Sequence, residues 1–175
     1  SAGIAMLMAC ILDNLYKHKY LIRITGIYIC LAGIVLAPGL YLQWNKRSAA
    51  LEKWNNAKLL YNTRAYEAAQ PAYEELYKEM KWNFRYLFEY GHILSKRKEY
   101  NKSISILLEA ETKSNDPMIL NVIGKDFQEM KLYDKAEEYF KRSVNRLPSR
   151  IYPYYLLTKL YAETGYCYPE KLKEY

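Results

Sequence analysis

Lys58, His92, Lys125 and Lys159 recur through this 175-residue chain at spacings of 34, 33 and 34. Four residues before each stand Trp54, Phe88, Asn121 and Tyr155. Residues four apart share one face of a helix, so helical segments here would set a row of cations beside a mostly aromatic row. Cationic side chains hold carboxylates through charge-assisted hydrogen bonds, and rings add apolar contact. The expected ligand is therefore acidic, either a protein or peptide segment or an anionic glycan. The alternative is a solvated face whose lysines keep the chain soluble.

No other constellation has comparable definition. His18 and His92 stand far apart, and no Cys or His partner lies at ligand spacing, so neither a metal nor a cofactor is expected. Ser and Cys residues lack a nucleophile motif, and no catalytic residue is expected. The acid pairs Glu74-Glu75 and Glu137-Glu138 read as outward, solvated positions on helices. Cys10, Cys30 and Cys167 do not form a disulfide framework.

Net charge is +7, but it is unevenly placed. Residues 1–50 hold five Lys/Arg against Asp13 alone, whereas residues 51–175 hold 21 against 18 with the signs interleaved. Nucleic acid, which demands a dense basic surface, is not an expected partner. Gly numbers 7 and Pro 6 in a chain rich in Ala, Leu, Glu and Lys, which points to an all-α fold.

The elements that would position the two rows follow from a repeat. Small or polar residues recur at Ala57, Gly91, Gly124 and Thr158, followed by Tyr66, Tyr100 and Tyr133, then Ala69, Ser103 and Ala136, then Tyr73, Leu107 and Phe140. Leu76, Ala110 and Ser143 complete one register, and Leu60, Leu94, Phe127 and Tyr161 form a further apolar column. Small residues let paired helices approach, and the large residue between them fills the gap beside the next pair. Asp116-Pro117 and Leu147-Pro148 punctuate the repeats. Helix hairpins are predicted over about 50–83, 84–116 and 117–150, with a truncated fourth from Tyr152 whose second helix would have only Pro169 to Tyr175. Most of the 20 tyrosines read as core, with Tyr152, Tyr154 and Tyr155 as candidates for a contact face.

Phe127, Tyr133, Ala136, Phe140 and Pro148 around Gly124 resemble the tetratricopeptide repeat signature, and the resemblance covers about 50–165. The second repeat departs at Ser103, and the first has Lys53 where an aromatic is usual, with Trp54 one place on. The resemblance implies an α-solenoid of three full repeats plus a truncated fourth, acting as an interaction scaffold. It also implies that the first helix of each hairpin lines the concave surface, which makes Trp54, Lys58, Phe88, His92, Asn121, Lys125, Tyr155 and Lys159 the candidate partner-binding residues. The Asn and Lys pattern by which chaperone-binding repeats clamp a terminal carboxylate is not matched.

The first fifty residues read differently. Ile24 to Leu42 are nineteen residues without a charge, flanked by Arg23 on one side and Trp44, Lys46 and Arg47 on the other. This predicts a transmembrane helix over 21–44 ahead of the repeat domain at 45–175. Residues 1–20 would then be the end of an earlier membrane helix and a short basic loop, Asp13 to Arg23. Basic loops remain cytoplasmic, which favours a bacterial inner-membrane protein with its repeats on the periplasmic face. The phrases Phe88-Glu89-Tyr90-Gly91, Ile123-Gly124-Lys125-Asp126-Phe127-Gln128 and Pro148-Ser149-Arg150-Ile151-Tyr152-Pro153 resemble the C-terminal extension of O-antigen ligase-like membrane proteins of Bacteroides-type bacteria. That resemblance implies a role in envelope polysaccharide assembly, with any ligase active part lying upstream. A stand-alone adaptor is the alternative.

Overall fold

The computed structural model describes the backbone of residues 2–163 and the side chains of residues 6–10, 13, 14, 16, 17 and 32–163. The expectations for His18, Lys19, Arg23, Cys30, Cys167 and the second helix of the fourth hairpin lie outside the described residues. Seven helices follow in order: α1 Ala2–Asn62, α2 Tyr66–Met80, α3 Phe84–Lys96, α4 Tyr100–Glu111, α5 Pro117–Glu129, α6 Tyr133–Arg146 and α7 Ile151–Tyr161. Among the described residues there is no strand. The chain divides into two compact units, Ser1–Lys46 and Arg47–Tyr175.

In the first unit the backbone is helical through residues 13–23, so the expected basic loop is not formed. That stretch contains neither Gly nor Pro, and Lys17 meets Asp13 at 2.9 Å, the i,i+4 pairing a helix favours. Among the described residues no helix is long and apolar enough to cross a membrane. This overturns the inner-membrane, periplasm-facing placement, and the span expected over 21–44 is left without support. Within the expected span Ile34, Val35, Leu36, Leu40 and Leu42 are exposed, and the side chains at 21–31 lie outside the described residues.

The second unit is a row of helix hairpins. The end of α1 from Arg47 pairs with α2, α3 packs on α4, and α5 on α6. Each second helix also meets the first helix of the next pair: α2 on α3, α4 on α5 and α6 on α7. First helices touch in turn, α3 with α5 and α5 with α7, which is the stacking of a solenoid. The predicted columns form the core, with Ala69, Tyr73, Leu107, Ala110, Ala136, Phe140 and Ser143 all fully buried. Leu60 departs from its column at 36 % exposure and lines a cavity with Lys53, Ala72 and Leu76.

Local chemistry sets the helix starts. The Asn83 side chain accepts from the Arg85 N–H at 3.0 Å to open α3. Asp116 accepts from the Met118 N–H at 2.9 Å, and Pro117, which has no N–H to satisfy, takes the first position of α5.

Candidate functional site

The eight residues predicted to form one binding face do not share one fate. Trp54 is buried, and its indole Nε1–H donates to Glu89 Oε2 at 2.8 Å. Lys58 turns to the same carboxylate, 3.2 Å from Oε1, with its ammonium 5.2 Å from the Trp54 ring centroid. Both are therefore spent on joining the first hairpin to the second.

Phe88 stacks on His92 with centroids 6.2 Å apart, and His92 Nδ1 lies 3.1 Å from the Tyr61 hydroxyl. Burial, followed by the charges of Lys96 and Lys125, pushes the imidazole down to about 4. His92 is thus neutral at physiological pH, and the expected ladder of cations loses that rung. Asn121 is 1 % exposed, its Nδ2–H facing Met118 Sδ at 3.8 Å, while Oδ1 is buried and, among the described residues, has no hydrogen-bond partner.

The remaining three converge. Lys125 donates to the Tyr152 hydroxyl and lies 5.0 Å from the centre of that ring, which stacks on Tyr155 at 6.2 Å. Tyr155 is 57 % exposed. Lys125 on α5 and Lys159 on α7 line a cavity of about 320 Å³ with Lys96, Lys98, Gln128 and Tyr100. Among the described residues, Lys96, Lys98, Lys125 and Lys159 form no salt bridge. The sequence reading missed Lys96, Lys98 and Gln128, and it named Tyr152 only as a candidate for a contact face. The available signal was helical periodicity, because Lys96 and Gln128 stand four and three residues after His92 and Lys125 on the same helices.

Asp126 closes the cavity floor. It is 1 % exposed and accepts from Ser95 Oγ on α3 and from Ser103 Oγ on α4, each at 2.5 Å. Ser103 Oγ also lies 2.8 Å from the Gly91 carbonyl. A hydroxyl has one proton, so serving both acceptors is easiest when the carboxyl carries a proton of its own. Burial raises Asp126 to about 6, with the Glu129 charge adding and the two serines and Lys96 opposing.

The folded carboxyl therefore holds a proton between about pH 4 and 6 that the unfolded chain has released. Its contribution to stability is complete below the unfolded pKa and is lost as pH rises through about 6. Asp126→Asn, whose amide keeps an acceptor for Ser95 and gives Ser103 a donor, is expected to remove this dependence. In urea titrations from pH 7.5 down to 5, the wild type should gain about 1 kcal/mol relative to the variant. Parallel curves for the two proteins would show that Asp126 is ionised throughout.

No protein-family model and no curated protein matches the chain. Solved structures do. MamA residues 41 to the end from Desulfovibrio magneticus RS-1 is 18 % identical over 65 % of this chain and 64 % of that one, with a TM-score of 0.60. The Arabidopsis OM64 tetratricopeptide domain is 14 % identical over 66 % and 97 %, TM-score 0.61. The first tetratricopeptide domain of Spaghetti (RPAP3), bound to the HSP90 peptide SRMEEVD, is 13 % identical over 65 % and 90 %, TM-score 0.59. At these identities the likeness shows the fold: a tetratricopeptide-type α-solenoid. The chain spans less than two thirds of the MamA structure. The narrower resemblance to O-antigen ligase-like proteins gains no support from these comparisons.

Proposed function

We propose that this chain is an interaction scaffold whose solenoid holds an acidic, extended peptide segment of a partner protein. The observation that carries the reading is the cavity where Lys125 and Lys159, from two stacked hairpins, meet Lys96 and Lys98 with no salt bridge to neutralise them. Unpaired cations gathered in a recess repel one another, and a carboxylate ligand relieves that repulsion. Beside them the exposed Tyr155, stacked on Tyr152, offers a flat apolar contact for a peptide side chain. The Spaghetti domain of the same fold is bound to a peptide whose sequence includes two glutamates and an aspartate, which supports an acidic segment as the ligand class.

Lys125→Glu combined with Lys159→Glu reverses two of the four charges without touching the buried columns. Fluorescence anisotropy with a labelled decaglutamate peptide is expected to show affinity lowered by about tenfold or more, the equivalent of about 1.4 kcal/mol. Unchanged binding removes the reading. Tighter binding of an oligomeric hexuronic acid than of the peptide would transfer the site to an anionic glycan.

A further inference from the structure

The turns that close the hairpins, α1–α2, α3–α4 and α5–α6, are built alike. In each, one residue takes the left-handed conformation: Arg64 at φ 62°, Lys98 at 63° and Lys131 at 60°. Each donates its N–H three residues back, to Tyr61, Ser95 and Gln128. The following N–H reaches five residues back, from Ala65 to Leu60, Glu99 to Leu94 and Leu132 to Phe127, each at 2.9 Å. This cap satisfies helix-end carbonyls, and glycine fits it without strain because it lacks the Cβ that crowds a left-handed backbone.

The chain places a basic residue at all three. No ion pair offsets the strain, since the three side chains are exposed and, among the described residues, form no salt bridge. A strained choice repeated in three successive turns with no internal return points outward, to something that contacts these cations. Arg64, Lys96, Arg97 and Lys98 also line a depression of about 610 Å³ between the first two turns. Of these only Arg97 has a carboxylate, Glu67 at 2.6 Å. Lys96 and Lys98 belong equally to the cavity that holds Lys125 and Lys159.

We infer that the turn edge of the solenoid is a second docking surface, taking an acidic peptide segment that runs from the cavity across Lys98 to Arg64. The inference takes its ligand class from the scaffold reading above. Spaced carboxylates suit this edge better than a phosphodiester chain does. Glu67 and Glu129 stand among the cations of the two recesses, and Glu99 follows Lys98 directly, held by Lys102 and Gln70. A polymer charged at every unit would meet these acids, whereas a peptide can place neutral residues opposite them.

Arg64→Gly tests this at a turn outside the cavity, because glycine removes the charge and relieves the strain together. In the full chain, the variant is expected to melt at the wild-type temperature or above it, yet to bind labelled decaglutamate about threefold or more weakly, with a shallower dependence on salt. Equal affinity in variant and wild type overturns the inference. So does tighter binding of an oligothymidylate of matching length that the glycine variant weakens. Loss of binding in Lys125→Glu, Lys159→Glu with none in Arg64→Gly retains the cavity and rejects the edge. The reverse pattern retains the edge and rejects the cavity reading.

Discussion

Glu89→Ala is expected to lower the stability of the solenoid by about 3–5 kcal/mol, read as a fall in the urea midpoint at unchanged slope. Glu89 stands on α3, and its buried carboxylate gathers three donors from the preceding hairpin. Trp54 Nε1 and the Tyr73 hydroxyl each lie 2.8 Å from Oε2, and Lys58 lies 3.2 Å from Oε1. Tyr73 is fully buried and Trp54 nearly so, so neither finds water when the acceptor is deleted. The phenol of Tyr73 is held well above its ordinary range by burial and by this carboxylate, which keeps it a donor. Trp54→Phe in the Glu89→Ala background should then cost little, since the stranded N–H has been removed. A cycle with no coupling, or a loss under about 1 kcal/mol, would show that water replaces the carboxylate.

The same arrangement recurs along the array. Asp126 joins the second hairpin to the third through Ser95 and Ser103, and Glu137 joins the third to α7, accepting from the Tyr161 hydroxyl at 2.9 Å. Each boundary thus contains a buried acid whose donors lie mainly on the neighbouring hairpin. Pairing them specifies register, since a hairpin displaced by one residue would bury a carboxylate without donors.

These acids were not legible in the sequence. Glu137 was expected to be outward and solvated, because an acid on a helix carries no mark of the hydroxyl 24 positions away that makes its burial tolerable. The repeat itself was legible because close packing leaves a periodic residue in every hairpin, and Ala57, Gly91 and Gly124 are all buried. Trp54 shows where the period misleads. Leu87 and Leu120 occupy the buried column one position earlier, but the first hairpin has Lys53 there, which faces Glu75 at 2.7 Å. The core took the aromatic one place on, and with it a residue expected to face a ligand. His92 failed as a cation for a related reason, since its ring is enclosed by Tyr61, Tyr66 and Phe88. The left-handed turns left no signal because Arg and Lys do not advertise a positive φ. The span at 21–44 was read from a charge-free stretch and its flanking Arg23, Trp44, Lys46 and Arg47, and the side chains at 21–31 that would test it lie outside the described residues.

Phe140→Ala is expected to remove about 3–5 kcal/mol, the cost of a ring-sized cavity in a core where this side chain is fully buried. Its neighbour across the hairpin makes the stronger test. A Cβ built on Gly124 would lie 2.6 Å from Phe140 Cδ1, and one on Gly91 would lie 2.5 Å from Leu107 Cγ. Both are far inside contact distance, so Gly124→Ala must push α5 away from α6. Overpacking should exceed the gain of about 1 kcal/mol that alanine brings to a helix, for a net loss of about 1–2 kcal/mol. In the double variant the new methyl enters space that the ring has left, and the two losses should sum to less than their separate values by about 1 kcal/mol or more. Strict additivity would mean that the helices do not meet through this pair. The consequence reaches the site, because Lys125 and Asp126 follow Gly124 directly on α5. Any displacement of that helix moves the cavity's central lysine relative to Lys96 and Lys159. Gly124→Ala alone should therefore weaken decaglutamate binding at temperatures where the chain remains folded, whereas Phe140→Ala, which leaves α5 seated on α3 and α7, should weaken it less.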